Sequence, residues 1–183
     1  HIAIRPFQLT RRQGLIDRLV FDDQVIEVVK SYAAENDMPM TIAQEKAKRY
    51  ASEIVPAFNA YIYFRFGYWL ARNIARLIYR IRVGFYDADG LKNIPEDSSV
   101  VFVMNHRSNM DYVLVSFLVA EKTALSYAVG EWARIWPLQT LLKSMGAFFV
   151  RRNSGNPLYR KILERYVHLS TRAGVCQAVF PEG

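Results

Sequence analysis

The sequence has a single cysteine, Cys176, among its 183 residues. No intramolecular disulfide is possible, and a reducing compartment is the simplest expectation. Histidine is nearly as scarce, with three residues. His106 and His168 lie far apart, and no His or Cys pair has the spacing of a metal-ligand set. No glycine-rich loop of the nucleotide-binding kind occurs either. Neither a metal nor a bound cofactor is therefore expected. Long uninterrupted apolar runs are also missing. A bilayer-spanning helix needs ~20 mainly apolar residues, and the most apolar segment here is repeatedly interrupted by arginine. No internal repeat, low-complexity tract or signal-peptide pattern stands out. The chain opens on His1 and stops at "VFPEG", where a strand should run into another element, so a piece of something larger is expected.

Acid is the other shortage. The chain carries 24 basic against 17 acidic residues, a formal charge of +7, which favours anionic partners. Seventeen of the basic residues are arginine, whose planar fork takes oxyanions bidentately. Charge alone leaves nucleic acid and phospholipid both open. No recognised nucleic-acid motif and no basic-aromatic platform on strands is present, so nucleic acid is not an expected partner.

Between residues 57 and 86, "AFNAYIYFRFGYWLARNIARLIYRIRVGFY", acid is absent altogether while five arginines are present. At about 100° per residue, Arg65, Arg72, Arg76 and Arg80 fall in one narrow sector. Tyr63, Phe66, Leu70, Ile74, Leu77 and Ile78 occupy the other side. The pattern predicts an amphipathic helix over about residues 57–82, lying in a membrane interface with arginines toward lipid phosphates. A helix packed on the protein with solvated arginines is the plainer alternative.

Ahead of this segment, residues 1–20 read as basic and irregular. Asp22 or Asp23 predicts the start of a helix to about Glu35, with Val25, Ile26, Val29, Tyr32 and Ala33 on one face. "NDMPM" breaks it, and Thr41 with Gln44 has the form of a capping box for a second helix to about Val55. After Gly84 the period changes. "VVFVM" (100–104) predicts a short buried strand, "ALSYAV" (124–129) a second, "AFFV" (147–150) a third and "VCQAVF" (175–180) a fourth. Helices are predicted over 111–121 and over 131–144 despite Pro137. Another starts at Asn156, with Pro157 in the first helical position, and is ended by Gly174. Its apolar stripe is Leu158, Ile162, Tyr166 and Leu169. The alternation predicts an α/β domain over residues 83–183, a mostly parallel sheet flanked by helices, preceded by a helical N-terminal region over residues 1–82.

Ligands of such sheets sit beyond the carboxyl ends of the strands, and polar clusters follow three of the four. "NHRSNMD" (105–111) puts His106 and Asp111 at a strand-to-helix turn after the first. Arg151 and Arg152 follow the third; Pro181, Glu182 and Gly183 follow the fourth. Each cluster alone has an ordinary explanation: a structural histidine, a solvated arginine pair, a turn. Their repetition at equivalent positions is what points to a site. Cys176 falls inside an apolar strand and is expected to be buried and inert.

"HRSNMD" resembles the HxxxxD motif of the glycerolipid acyltransferases. "GAFFVRR" (146–152) resembles their second block and "FPEG" (180–183) the opening of their third. The likeness covers residues ~100–183 with order and spacing kept. It is nearest to the membrane-associated glycerol-3-phosphate acyltransferases and their dihydroxyacetone-phosphate relatives. The rest of the third block and the fourth, more apolar block do not follow in this sequence.

The resemblance implies transfer of a fatty acyl group from acyl-CoA or acyl carrier protein to the sn-1 hydroxyl of glycerol 3-phosphate. It implies a protein held peripherally or monotopically at the cytoplasmic face of a membrane, working without a cofactor. His106 would be the general base, and Asp111 would fix its tautomer and stabilise the imidazolium. Arg152 would bind the acceptor phosphate with Arg151 as helper. Glu182, with Gly183 beside it, would touch the glycerol hydroxyls or order the site. Arg107 could equally face the anion or lie at the surface, and Ser108 would be a cap or a substrate contact rather than a nucleophile. Two alternatives stay open. One is the same chemistry on lysophosphatidate or dihydroxyacetone phosphate. The other is a non-catalytic membrane-binding module, which accounts for residues 57–86 but leaves His106, Asp111 and Arg152 without a reason.

Overall fold

The computed structural model describes residues 12–57, 93–95, 98–105, 125–129, 147–151 and 154–179, together with residues 65, 69, 73, 77 and 143. Helix α1 (Arg12–Val20) forms where the sequence reads as irregular. Ile16, Leu19 and Val20 recur at the i, i+3, i+4 spacing of a helical stripe, and all three are buried. Arg12, at its start, reaches the far end of another helix. Its Nε donates to the Val55 carbonyl (3.3 Å) and its Nη2 to that of Ser52 (2.7 Å). Carbonyls in the last turn of a helix have no intrahelical donor, so an arginine there both satisfies and electrostatically favours them.

Helix α2 (Asp23–Glu35) starts where the acidic pair predicts. The Asp22 Oδ1 accepts from the Gln24 N–H at 3.2 Å. Its Oδ2 is taken by Arg165, from Nε at 3.0 Å and Nη2 at 2.7 Å. Both side chains of this pair are largely withdrawn from solvent, so removing either partner would strand the other's charge. The break at "NDMPM" has a specific form. Asp37 takes a left-handed φ of 47°, and Asp37 N–H and Met38 N–H bond back to Ala34 and Ala33 carbonyls at 3.4 and 3.0 Å. These are the two backward bonds of a Schellman ending, with aspartate in the position glycine usually fills.

Helix α3 (Met40–Ile54) begins earlier than the predicted capping box. Pro39 is its cap, without a side-chain bond, and the Pro39 carbonyl accepts from Ile42 and Ala43 at 3.0 and 3.2 Å. Thr41 therefore lies inside the first turn and does not cap the helix; the fixed φ of Pro39 leads the chain in instead. Helix α4 (Pro157–Arg172) starts as predicted, with Asn156 Oδ1 accepting from the Tyr159 N–H at 3.1 Å. It ends at Gly174, φ 80°, again with paired backward bonds: Gly174 N–H to Thr171 (3.0 Å) and Val175 N–H to Ser170 (3.1 Å). Of its predicted stripe, Leu158, Ile162 and Tyr166 are buried, and Tyr159 joins them.

These four helices share one core, in which Ile16, Leu19, Val25, Val29 and Ile54 meet Leu158 and Ile162. Burying a side chain of this size contributes ~1.5–3 kcal/mol, so apolar burial, more than the surface pairs, holds α1–α3 to α4. Phe148 ties the cluster to the sheet, its ring 5.2 Å from that of Tyr166.

The sheet comprises β1 (Val101–Val103), β2 (Leu125–Val129), β3 (Ala147–Phe149) and β4 (Cys176–Val179). All three pairings are parallel and the order is β1-β4-β2-β3. The broad α/β class holds, and helix α4 connects β3 to β4. Cys176 is buried, as expected. β1 is not the buried strand its run of apolar residues predicts. Val101 and Val103, which share one face of the strand, are 48% and 67% exposed, and β1 pairs only with β4 in the described sheet.

Of the arginine-rich segment, the structure describes Arg65, Trp69, Asn73 and Leu77, all exposed. Trp69 and Leu77 are 58% and 87% exposed, and Asn73 Nδ2 donates to the Trp69 carbonyl at 2.7 Å. Arg65 is π-helical, whereas Trp69, Asn73 and Leu77 are α-helical. Leu77, which the pattern sets opposite the arginines, is nonetheless exposed. Among the described residues no helix is long and apolar enough to cross a membrane. The predicted helices over 111–121 and 131–144 lie outside the described residues, apart from Lys143, which is helical.

Candidate active site at the carboxyl edge of the sheet

The strand ladder sets where the chain leaves each strand. Val103 is level with Val179, and the Met104 N–H continues the ladder to the Val179 carbonyl at 3.1 Å. Tyr127 is level with Ala178, and Val129 with Phe149. The exits of β1, β4 and β3 therefore stand within one residue of the same height. His106 follows Val103 by three positions, Glu182 follows Val179 by three, and Arg152 follows Phe149 by three. Across the sheet the exits are not equivalent. β1 and β4 are neighbours, whereas β3 lies at the opposite margin, three strand spacings or roughly 14 Å from β1. The three strand ends thus share one edge, with the arginine pair at its far end.

His106, Arg107, Ser108, Asp111, Arg152, Glu182 and Gly183 themselves lie outside the described residues. Arg151 is described, and its surroundings were not foreseen. Its Nε donates to Glu53 Oε1 at 2.9 Å and its Nη2 to Glu53 Oε2 at 2.6 Å, a bidentate pair across 98 positions of sequence. The guanidinium carbon sits 5.3 Å from the ring centres of both Tyr50 and Tyr159. Those two rings meet edge to face at 5.5 Å. Below them, the Arg151 N–H donates to Tyr159 Oη at 3.1 Å. Asn156, besides capping α4, donates from Nδ2 to Tyr32 Oη and Tyr50 Oη, both at 3.3 Å. Glu53 is 19% exposed and Arg151 36%.

The electrostatics follow from this enclosure. The hydrogen-bonded Glu53 carboxylate raises the Arg151 pKa above its ordinary value; desolvation opposes the shift, and the negative potential of Glu53, Tyr50 and Tyr159 adds to it. Arg151 is a permanent cation whose fork is filled by protein. Sequence reasoning missed Glu53, Tyr50 and Tyr159 here because their link to Arg151 is long-range and leaves no local spacing to read. Among the described residues no group of three or more His, Cys, Asp or Glu side chains could hold a metal.

A parallel α/β layer with aligned strand ends defines the class of fold, one in which ligands commonly sit beyond the carboxyl ends of the strands. A family model described as acyltransferase matches residues 86–183. The chain belongs to the acyltransferase family. It is 32% identical over 178 residues to a glycerol-3-phosphate acyltransferase of Xanthomonas campestris pv. campestris, covering 96% of this chain and 20% of that protein. A protein of the same name from Pseudoalteromonas atlantica is 28% identical over 179 residues, at 96% and 22% coverage. One from Ectopseudomonas mendocina is 29% identical over 178 residues, at 96% and 21%. The chain spans about a fifth of the length of these curated relatives.

Proposed function

We propose that this chain belongs to an enzyme that transfers a fatty acyl group from a thioester, acyl-CoA or acyl carrier protein, to the sn-1 hydroxyl of glycerol 3-phosphate. The observation that carries the reading is the shared height at which β1, β4 and β3 deliver the chain toward His106, Glu182 and Arg152. The names of the relatives support the acceptor.

An alcohol is a poor nucleophile near neutral pH. Imidazole, with a reference pKa of ~6.5, is the side chain suited to take its proton. His106 accepts that proton as the hydroxyl oxygen attacks the thioester carbonyl. The carbon–sulfur bond then breaks, and the imidazolium returns the proton to the departing thiolate. Asp111 fixes the tautomer and stabilises the imidazolium. Arg152 holds the acceptor phosphate through charge-assisted bonds, while Glu182 and Gly183 order the glycerol end. Arg107 and Ser108, next to His106 in the sequence, serve as substrate contacts. No cofactor takes part.

The test is an acyl-transfer assay on the intact protein with glycerol 3-phosphate, dihydroxyacetone phosphate and lysophosphatidate offered in parallel. Glycerol 3-phosphate is expected to give the highest kcat/KM. Preference for lysophosphatidate would move the protein to the runner-up reaction, and no transfer to any of the three would leave the membrane-binding module.

The same proposal places the protein at the cytoplasmic face of a membrane. The exposure of Arg65, Trp69 and Leu77 supports an interfacial helix, because basic and apolar groups together suit the headgroup boundary. Anionic vesicles should bind the intact protein less as salt rises, each basic residue adding ~1 kcal/mol. Replacing Arg65, Arg72, Arg76 and Arg80 by glutamine should release it. Unchanged binding after that replacement would mean that these arginines are only solvated.

A further inference from the structure

We propose that Glu53 is a positioning residue for the acceptor-phosphate site: it holds Arg151 as a tether, leaving Arg152 as the member of the pair that meets the phosphate. This rests on the reaction proposed above.

The geometry divides the two arginines. Arg151 is held at both its main chain and its side chain, by Tyr159 Oη at the N–H and by both Glu53 oxygens at the fork. The two tyrosine rings lie together on one side of it, each 5.3 Å from the guanidinium carbon and 5.5 Å from one another, and both residues bond to Asn156, one at its hydroxyl and one at its N–H. A phosphate dianion approaching that fork would meet the Glu53 carboxylate already in place, two like charges competing for one cation. The fork is therefore poorly suited as a phosphate ligand and well suited as an anchor. Consecutive Cα atoms are about 3.8 Å apart across a trans peptide, so fixing Arg151 fixes the point from which Arg152 departs. The anchor is α3, outside the stretch matched by the family model.

Catalytic geometry is sensitive at this scale: a 1 Å misplacement can cost on the order of 10² in rate. The experiment measures KM for glycerol 3-phosphate and for acyl-CoA in the intact protein carrying Glu53→Gln, with melting curves to confirm folding. The tether predicts that KM for glycerol 3-phosphate rises by about tenfold while KM for acyl-CoA stays within about twofold. Were Arg151 itself a ligand, removing the competing carboxylate would release it and the same constant would fall. The exchange Glu53→Arg with Arg151→Glu provides a second arm should Glu53→Gln fail to fold. It restores an ion pair, so the tether predicts recovery of KM, whereas a ligand role predicts none. Wild-type acceptor preference is measured first, so a failure of the reaction itself is seen before any variant is made. If another phosphate-bearing acceptor is preferred, the constants are measured with that one. An unchanged or lowered acceptor KM in folded Glu53→Gln, or an exchanged pair with no recovery, overturns the tether.

Discussion

His106→Ala in the intact protein is expected to lower turnover by roughly 10²–10⁴-fold, the share that positioned acid–base catalysis commonly supplies. The effect should fall on kcat and leave both substrate constants little changed, because the imidazole acts on a proton in transit and contributes little ground-state binding. Asp111→Asn should impair turnover less, since it removes the charge behind the imidazole but keeps a hydrogen-bonding group of the same shape. A melting curve taken on each variant separates lost turnover from lost folding. Folded His106→Ala protein with near-normal turnover would remove the base and with it the catalytic reading.

Arg152→Lys is expected to act on the other half of the chemistry. Glycerol 3-phosphate offers little apolar surface, so its affinity depends on the phosphate. Lysine keeps the charge but not the planar fork. Losing one charge-assisted hydrogen bond costs ~1.5–3 kcal/mol, which raises KM for glycerol 3-phosphate by roughly 10- to 100-fold. KM for the acyl thioester should stay within about twofold, because the acyl donor does not share that contact. If the thioester constant moves instead, Arg152 belongs to the donor site and the acceptor assignment is wrong.

Local signals carried the sequence reading furthest where one residue dictates one geometry. Asp22 capping α2, Asn156 and Pro157 starting α4, and Gly174 ending it at positive φ are all present in the structure. The four strands were legible for the same reason, as short apolar runs between breakers. Long-range facts were not. Nothing in "VVFVM" distinguishes a central strand from a marginal one, since both are apolar and the difference is which strand lies alongside. Helix α1 was hidden by the arginines around it, although Leu15, Ile16, Leu19 and Val20 carry its period. Pro39 took the role assigned to Thr41: its fixed φ leads the chain in and its carbonyl accepts the first helical bonds. Of the candidate site, the clusters after the strands were legible as motifs. The Glu53–Arg151 pair was not, because an acid in the last turn of a helix looks like any solvated acid until the strand arrives.

The strand order has a consequence for what can be acylated. β4 and β2 stand between β1 and β3, so the base and the phosphate ligand of the proposed reaction enter from opposite margins. The hydrogen-bond ladder makes that width a property of the backbone. Roughly 14 Å separates those margins, more than the length of glycerol 3-phosphate, so the proposed reaction needs the loops and side chains that follow β1 and β3 to reach inward and close on one small acceptor. Side-chain replacements can weaken the grip at either end, but they leave the strand spacing unchanged. Refitting the site to a much shorter or longer acceptor would mean moving the loops that follow the strands.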